Sequence, residues 1–543
     1  MIGQCGAMSN PARASDKLIR KGWQAMDSGR PDQALAVFQR AVLAGPSSFA
    51  AHHGLATARQ ALGDAAGAID AFEQALKVAP GNPETLMALG RLARDLNAPE
   101  QAVGFFREAV MAEPGSVAAI SGLAHALRGV EKQEEAAELL QSSIQMNPEG
   151  AALWNALGVV MSDLEDHTNA LTFLEEALRL DPKDGAAAGN LAEAAFAAGE
   201  TARAGEAYRS ALRLRPQDAT LRYNHSLFAL GCGDIEAGWR DYEARLAPGY
   251  SGLVRRDLKL KRWRGKAMPE GRLLVLAEQG VGDELHFLHS LRDVAAAWGE
   301  IWWECDPRLL DLLSDSFPQV RFVPWSGSDK PGFHRGYDWL ADAPRFDACI
   351  EAGSLQTIYR RRLEDFPDQP PLLKVSASAA SRDLRVGITW TSTKRNRLRD
   401  RGYVPLEHWD ELFAIPGVTW VNLQYGGYQD EIVEAEQRFG ISIEQTPGLD
   451  LKNDFTGTAA LMTGLDLVIG PTNAARQLAA SLGIRTLVFS RLPYEFALGQ
   501  AVNPFFPHMT DFIRLPDRDW SRTVSDVAKI VAGMAAEKAQ RAA

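Results

Sequence analysis

Pro46, Pro80, Pro114, Pro148, Pro182 and Pro216 follow one another at a fixed spacing of 34 residues. A strict period of this length describes a stack of like units, each too small to bury its own apolar face and each completed by its neighbour. Alanine stands twelve residues before every one of these prolines, at Ala34, Ala68, Ala102, Ala136, Ala170 and Ala204. Five residues before them stand Ala41, Ala75, Ala109, Ala177 and Ala211, with Ser143 as the departure. Eight residues before, the side chain is large: Phe38, Phe72, Phe106, Leu140, Leu174 and Tyr208. Small residues let two helices of a hairpin approach closely, the large one fills the space between hairpins, and proline ends the second helix.

On these positions residues 15–218 resemble six tetratricopeptide repeats, forming an α-solenoid. The segment 219–246, which contains GDIEAGWRDYEARL, reads as a degenerate capping repeat, since terminal repeats are atypical; residues 1–14 read as a flexible N-terminus. The resemblance implies an inner groove that receives a peptide or protein. Arg91, Arg94, His125 and Arg128 fall on that face and suit an acidic partner, with a solvated polar face as the other reading. Ile19 and Trp23 stand where chaperone-tail binders of this family keep a lysine and an asparagine, which sets that partner aside.

Charge and cysteine usage bound the function. Lys and Arg number 58 against 69 Asp and Glu, a net charge of −11, which argues against nucleic acid or an anionic membrane as the main partner. The apolar fraction of 46% is that of a globular chain. Cys5, Cys232, Cys305 and Cys349 are far apart and form no C-x-x-C pair, as in a reduced, cytoplasmic protein without a cysteine-ligated metal. No signal peptide and no run of ~20 apolar residues is evident, so no membrane span is expected.

After a basic segment, 247–270, read as a linker, the period changes. Short β-branched runs alternate with helical stretches: 272–277, a helix from Glu284 to Trp298, 301–305, 320–325 and 347–351. A Pro- and Ser-rich hinge, 366–383, follows, and alternation resumes with LRVGITW, VTWVNLQ, ISIE, DLVIG and RTLVFS. Such alternation implies parallel sheets covered on both faces. The expected fold is therefore α + α/β: a tetratricopeptide solenoid, then two doubly wound lobes at 271–365 and 384–515, with a terminal helix in 516–543. Ligands bind such sheets outside the carboxyl ends of their strands.

The motifs LAEQGVGDELHFLHSL, GITW, VNLQYGG, GPTNAARQ and NPFFP, in this order after the cap GWRDYEAR, resemble heptosyltransferase-type glycosyltransferases of the GT-B fold. The likeness is closer to bacterial fusions of such a domain with tetratricopeptide repeats. It implies a nucleotide-sugar donor on the C-terminal lobe, an acceptor on the N-terminal lobe, and no metal or other cofactor. Glu278, Gln279, Gly280 and Gly282 form the acceptor-side turn. Asp283 matches the family's general base, which an alcohol nucleophile needs at neutral pH; its other reading is the N-cap of a helix starting at Glu284.

On the donor side, Thr472, Asn473, Ala474, Ala475 and Gln477 open a helix whose unpaired amides suit a diphosphate, an ordinary capped helix being the rival. The family keeps Asp, Thr and His where this chain has Thr472, Asn473 and Gln477, a departure that bears on catalytic power more than on nucleotide binding. The loop after GITW is basic and rich in hydroxyls; Thr391, Ser392, Lys394 and Arg401 are its candidates for neutralising the leaving group. Gln424 either touches the nucleotide or is a buried turn residue. Asp517 and Asp519 read as a solvated turn, and His286 and His289 share a helix face without a third metal ligand. The resulting expectation is a glycosyltransferase acting on a protein hydroxyl, with flagellin or another surface protein as the acceptor. A catalytically weak nucleotide-binding scaffold and a transferase for polysaccharide or lipid-linked sugar are the alternatives.

Overall fold

The computed structural model describes residues 11–250, 252–278, 280–327, 334–368, 370–376, 381–392, 400–514 and 520–542. The chain divides into one compact unit up to Ala194 and a second from Ala195.

In the first unit, α1 (Pro11–Asp27) pairs with α2 (Pro31–Ala44), α3 (Phe49–Ala61) with α4 (Ala65–Val78), and α5 (Pro83–Asp95) with α6 (Pro99–Ala112). Likewise α7 (Val117–Gly129) pairs with α8 (Gln133–Met146), and α9 (Ala151–Asp163) with α10 (His167–Leu180). Each second helix stops two residues before its periodic proline. Ala34, Ala68, Ala102, Ala136 and Ala170 are fully buried, as close helix contact demands. Phe38 shows why the large position needs small neighbours: a β-carbon added at Gly22 would stand 2.6 Å from its ring, and one at Gly54 only 2.2 Å. Ser143 fits among the alanines because its hydroxyl donates to the Leu139 carbonyl at 2.7 Å, leaving no unsatisfied donor. The flexible start expected for 1–14 is corrected at its end, since α1 already begins at Pro11; residues 1–10 lie outside the described residues.

Helix α11 (Gly185–Ala197) crosses the boundary between the units; in the second, after α12 (Thr201–Leu214), come α13 (Ala219–Gly231) and α14 (Ile235–Tyr242), the capping pair. Two parallel sheets follow. The first comprises β2 (Met268–Leu276), β3 (Trp298–Cys305), β4 (Arg321–Pro324) and β7 (Ala348–Glu351), in the order β4-β3-β2-β7. The second comprises β8 (Leu384–Ile388), β9 (Val418–Asn422), β10 (Ile443–Glu444), β11 (Leu467–Pro471), β12 (Arg485–Ser490) and β13 (Met509–Ile513), in the order β10-β9-β8-β11-β12-β13. Strand order therefore reverses beside β2 in one sheet and beside β8 in the other, and the crevice at such a reversal is where open parallel sheets bind ligands. A small additional sheet joins β1 (Arg255–Arg256), β6 (His334–Gly336) and β5 (Ser326–Gly327).

Residues 247–270 are not a linker. They contain β1 and the start of β2, and Arg262 bridges in parallel to Cys349, with the Trp263 amide donating to the Cys349 carbonyl at 2.8 Å. In RDLKLKRW, Leu258 and Leu260 turn inward between the exposed Lys259 and Lys261, and Trp263, which breaks the alternation, is buried in a different cluster. The capping pair also belongs to the α/β core: Trp239 stacks on Phe496 at 5.9 Å and packs edge-on to Tyr242. At this joint, Gly499 (φ +68) meets Gly233 so closely that a β-carbon would stand 2.9 Å from its nitrogen. The terminal helix, Trp520–Ala542, buries Trp520, Val524, Val527 and Val531 against the second sheet.

Candidate functional site

The turn after β2 runs into the helix Val281–Phe287, which packs on the helix Ala474–Ser481 that follows β11. A cavity of about 420 Å³ lies at this meeting of strand ends, with Gly280, Gly282, Glu284, Ser392, Ala474 and Ala475 in its wall. The structure thus brings together the acceptor-side glycines, one residue of the basic loop and the opening of the donor helix. Lys452 adds positive charge to the same wall; Arg308 there is held by Asp306 through Nε and Nη2 at 2.9 and 2.8 Å, and also donates to the Lys452 carbonyl at 3.2 Å.

Asp283 is not the N-cap. Gly280 occupies that position and Asp283 sits in the first turn, its Oδ2 3.6 Å from where a β-carbon on Gly280 would be. Burial, then the negative charges of Glu278 and Glu495, raise its carboxyl from 3.8 to about 7, against the opposing pull of Arg476 and Arg245. Glu284 next to it is pushed well above the ordinary carboxylate range by burial, although its Oε2 accepts the Asp306 amide at 2.6 Å. Carboxyls raised by burial in this way cluster at functional sites.

Glu278 does not face the cavity. It is paired with Arg245 at 2.7 Å and accepts the Gly353 amide at 2.7 Å, so its role is to hold the turn. Gln424 is likewise a brace: its Oε1 receives Thr389 Oγ1 at 2.9 Å and the amides of Trp390 and Thr391 at 3.0 Å, while Nε2 donates to the Tyr425 carbonyl. Asn473 caps the helix Ala474–Ser481 by accepting the Arg476 amide at 3.0 Å, and its Nδ2 donates to Thr389 Oγ1 at 3.1 Å. The phosphate contact expected of the Asn473 side chain is replaced by this capping role. The amides of Ala474 and Ala475 remain as the first-turn donors beside the cavity.

Thr472 is exposed, whereas Gln477 is 1% exposed and its Nε2 has no hydrogen-bond partner. Thr391 lines a separate cavity of about 220 Å³ with Asp400 and Tyr403; Arg401, half-buried in the turn beside it, is not in the cleft wall. Gln279, Lys394, Asp517 and Asp519 lie outside the described residues. His286 and His289 are buried against Phe505, at 4.2 and 5.2 Å, a ring cluster that leaves both imidazoles neutral. Among the described residues no group of three or more His, Cys, Asp or Glu is placed to hold a metal ion.

Sequence reasoning missed Thr389, which links the two strand-end loops, and Arg476, 3% exposed with its guanidinium carbon 4.4 Å from the Tyr494 ring centre. It also missed Arg308. The rule that ligands gather at strand ends would have found this residue, which comes three positions after β3. On the repeat face, Arg94 and Arg128 both act on His125, whose imidazole burial and then these charges push down to about 4. Arg128 is already neutralised by Asp163, and Arg94 faces Asp95 at 3.2 Å, so Arg91 is the more available cation of the three.

Models of the tetratricopeptide repeat match residues 19–59, 53–117 and 122–184, and a second such model matches 161–227. The N-terminal helices are tetratricopeptide repeats. The chain is also 33% identical over 325 residues to Protein FlbA of Caulobacter vibrioides, covering 56% of this chain and 54% of that protein. It thus spans about half the length of that relative. Among solved structures, Pseudomonas aeruginosa PilF is 18% identical over 38% of this chain and 95% of its own, with a TM-score of 0.33. A tetratricopeptide repeat protein of Parabacteroides merdae is 16% identical over 42% of this chain and 91% of its own, with a TM-score of 0.38. Among the described residues no helix is long and apolar enough to cross a membrane.

Proposed function

We propose that the chain is a glycosyltransferase of GT-B type that moves a sugar from a nucleotide donor to a protein hydroxyl without a metal. One observation carries this reading: a cavity at the carboxyl ends of both parallel sheets is walled by Gly282 and Glu284, and between these two in the chain stands Asp283, whose carboxyl is raised to about 7. The diphosphate of the donor rests on the amides of Ala474 and Ala475, with Lys452 balancing its charge. Asp283 takes the proton of the acceptor hydroxyl. The oxygen then bonds to the anomeric carbon, and the bond from that carbon to the diphosphate breaks, its electron pair leaving with the nucleotide. The repeats recruit the acceptor, for which flagellin or another surface protein remains the proposal.

A second reading, a nucleotide-binding scaffold, draws support from Gln477 and Asn473, one sealed in the core and the other occupied as a cap. Calorimetry with nucleoside diphosphates and nucleotide sugars, followed by release assays, separates the two. A true donor at a hundred times its dissociation constant stabilises the fold by roughly 2.7 kcal/mol. Binding with turnover supports the transferase, binding without turnover the scaffold, and no binding rejects both.

A further inference from the structure

The two sheets contribute unlike halves to the cavity of about 420 Å³. The second sheet brings the helix opening at Ala474, with Lys452 and Tyr425; the first brings Glu284, Asp306, Arg308 and Trp325. In the half built on the first sheet the cations are already spent. Arg308 is held by Asp306, and the Arg335 guanidinium lies against one face of the Trp325 indole, its carbon 3.6 Å from the ring centre. What this half presents is an aromatic ring among carboxyls.

The ring is fixed in place. Trp325 directly follows β4, its amide donates to the Cys305 carbonyl at 2.9 Å, and its Nε1 donates to Glu284 Oε1 at 3.3 Å. Arg335, 4% exposed, backs it from β6, which pairs with β5, the strand that Trp325 leads into. Trp325 itself is only partly buried and stands in the cavity wall. The carboxyls beside it keep hydrogen-bonding capacity. A carboxylate has about four acceptor sites. Asp306 fills three of them with the Arg308 amide, Nε and Nη2, and Glu284 fills two with Trp325 Nε1 and the Asp306 amide. Burial keeps a proton on Glu284, which adds a donor to the rim.

We propose that Trp325 is the platform for the donor's sugar: a pyranose ring packs one face on the indole while its hydroxyls hydrogen-bond to Glu284 and Asp306. The inference rests on the transferase reading above. A pyranose gathers C–H groups on its faces and carries hydroxyls around its edge, each hydroxyl both donor and acceptor. It therefore matches an apolar ring rimmed by carboxyls. Aromatic side chains bring the largest apolar area to such a contact, and this one is held by Arg335 and Glu284 before any ligand arrives, so little freedom is lost on binding. Diphosphate on Ala474 and Ala475 and sugar on Trp325 divide one cavity between the two sheets.

The test uses the full chain with UDP-glucose, UDP-N-acetylglucosamine, GDP-mannose and CMP-N-acetylneuraminate, each beside its free nucleotide, in titration calorimetry. Trp325→Leu should weaken binding of the nucleotide sugar by about tenfold or more and leave the free nucleotide within about twofold. Trp325→Phe, which keeps a smaller ring, should fall between. A second measurement needs no variant: oxidation of the wild-type chain with N-bromosuccinimide, read at Trp325 by peptide mapping. A saturating nucleotide sugar should slow that oxidation by about tenfold, and the free nucleotide by less than about twofold. A Trp325→Leu chain that binds the nucleotide sugar as the wild type does overturns the inference, as does oxidation at Trp325 that a bound nucleotide sugar leaves unaltered. Binding of free nucleotide without any of the four nucleotide sugars overturns it as well. Where Trp325→Leu does not fold, the oxidation result decides. A wild type that binds neither nucleotide nor nucleotide sugar fails at the transferase reading instead, and the inference falls with it.

Discussion

Arg245, just after the capping pair, and Glu278, two residues after β2, form a buried ion pair in which Nη2 is 2.7 Å from Oε1 and Nε 3.4 Å from Oε2. Their side chains are 4% and 8% exposed. Arg245 also donates to Ser354 Oγ at 3.0 Å and lies over the Tyr242 ring, while Glu278 accepts the Gly353 amide. The pair therefore fastens the cap, the turn before Asp283 and the turn after β7 to one another.

Breaking that pair from one side strands a charge in the core. Arg245→Met and Glu278→Gln should each destabilise the second unit by about 3–5 kcal/mol. The double replacement Arg245→Met with Glu278→Leu should recover most of the loss. Urea unfolding of the full chain, with the repeats followed as a separate transition, reads both effects.

Asp283 makes activity and stability respond to pH in opposite senses. As a base it works only when ionised, so transfer should rise with an apparent pKa near 7. The folded chain holds this proton up to about pH 7, whereas the unfolded chain releases it near 3.8. The stability contributed by the group is thus fully present below 3.8 and is lost as pH rises through 7. Asp283→Asn should melt higher than the wild type at pH 8 and closer to it at pH 4, which differential scanning calorimetry can follow.

Much of the fold was legible because its signals are local and repetitive. The 34-residue period sets small residues against large ones, and Phe38 between Gly22 and Gly54 is that rule in atoms. Buried parallel strands such as Leu467–Pro471 read as unbroken apolar runs. The pairing of 261–263 with Cys349 was concealed because the segment around it is rich in lysine and arginine and looks like a charged linker. Site roles were harder to read. Gln424, Asn473 and Glu278 lie where ligand-binding residues belong, yet their polar atoms are taken by partners such as Thr389 and Arg245, distant in sequence and joined only by folding. The rise at Asp283, chiefly from burial and then Glu278, also draws on Glu495, more than two hundred residues away.

A negative charge at the mouth of the donor helix separates folding from binding. Ala474→Asp places an acid in the first turn of Ala474–Ser481, where the helix dipole favours it, so thermal stability should hold or improve slightly. Diphosphate affinity should nevertheless drop by about tenfold or more through like-charge repulsion. Titration calorimetry with UDP, GDP and CMP in parallel with melting curves tests the pair of outcomes.

The capping pair sets where the chain can be cut. A fragment beginning at Ala247 loses Leu230, Trp239 and Tyr242 from the core they share with Phe287 and Phe496. It should be recovered as aggregate. A fragment beginning at Lys183, which retains α11 to α14, should be monodisperse and melt cooperatively. Size-exclusion chromatography and calorimetry of the two fragments decide it.

The most direct measurement of the central claim is sugar transfer by Asp283→Asn beside the wild type, with nucleotide affinity determined on the same preparations. If Asp283 removes the acceptor proton, kcat/KM for transfer should fall by about two to four orders of magnitude, while the dissociation constant for the nucleoside diphosphate stays close to the wild-type value. Near-normal transfer by a folded Asn variant would contradict the account and leave Asp283 as an acid favoured only by the first turn of its helix.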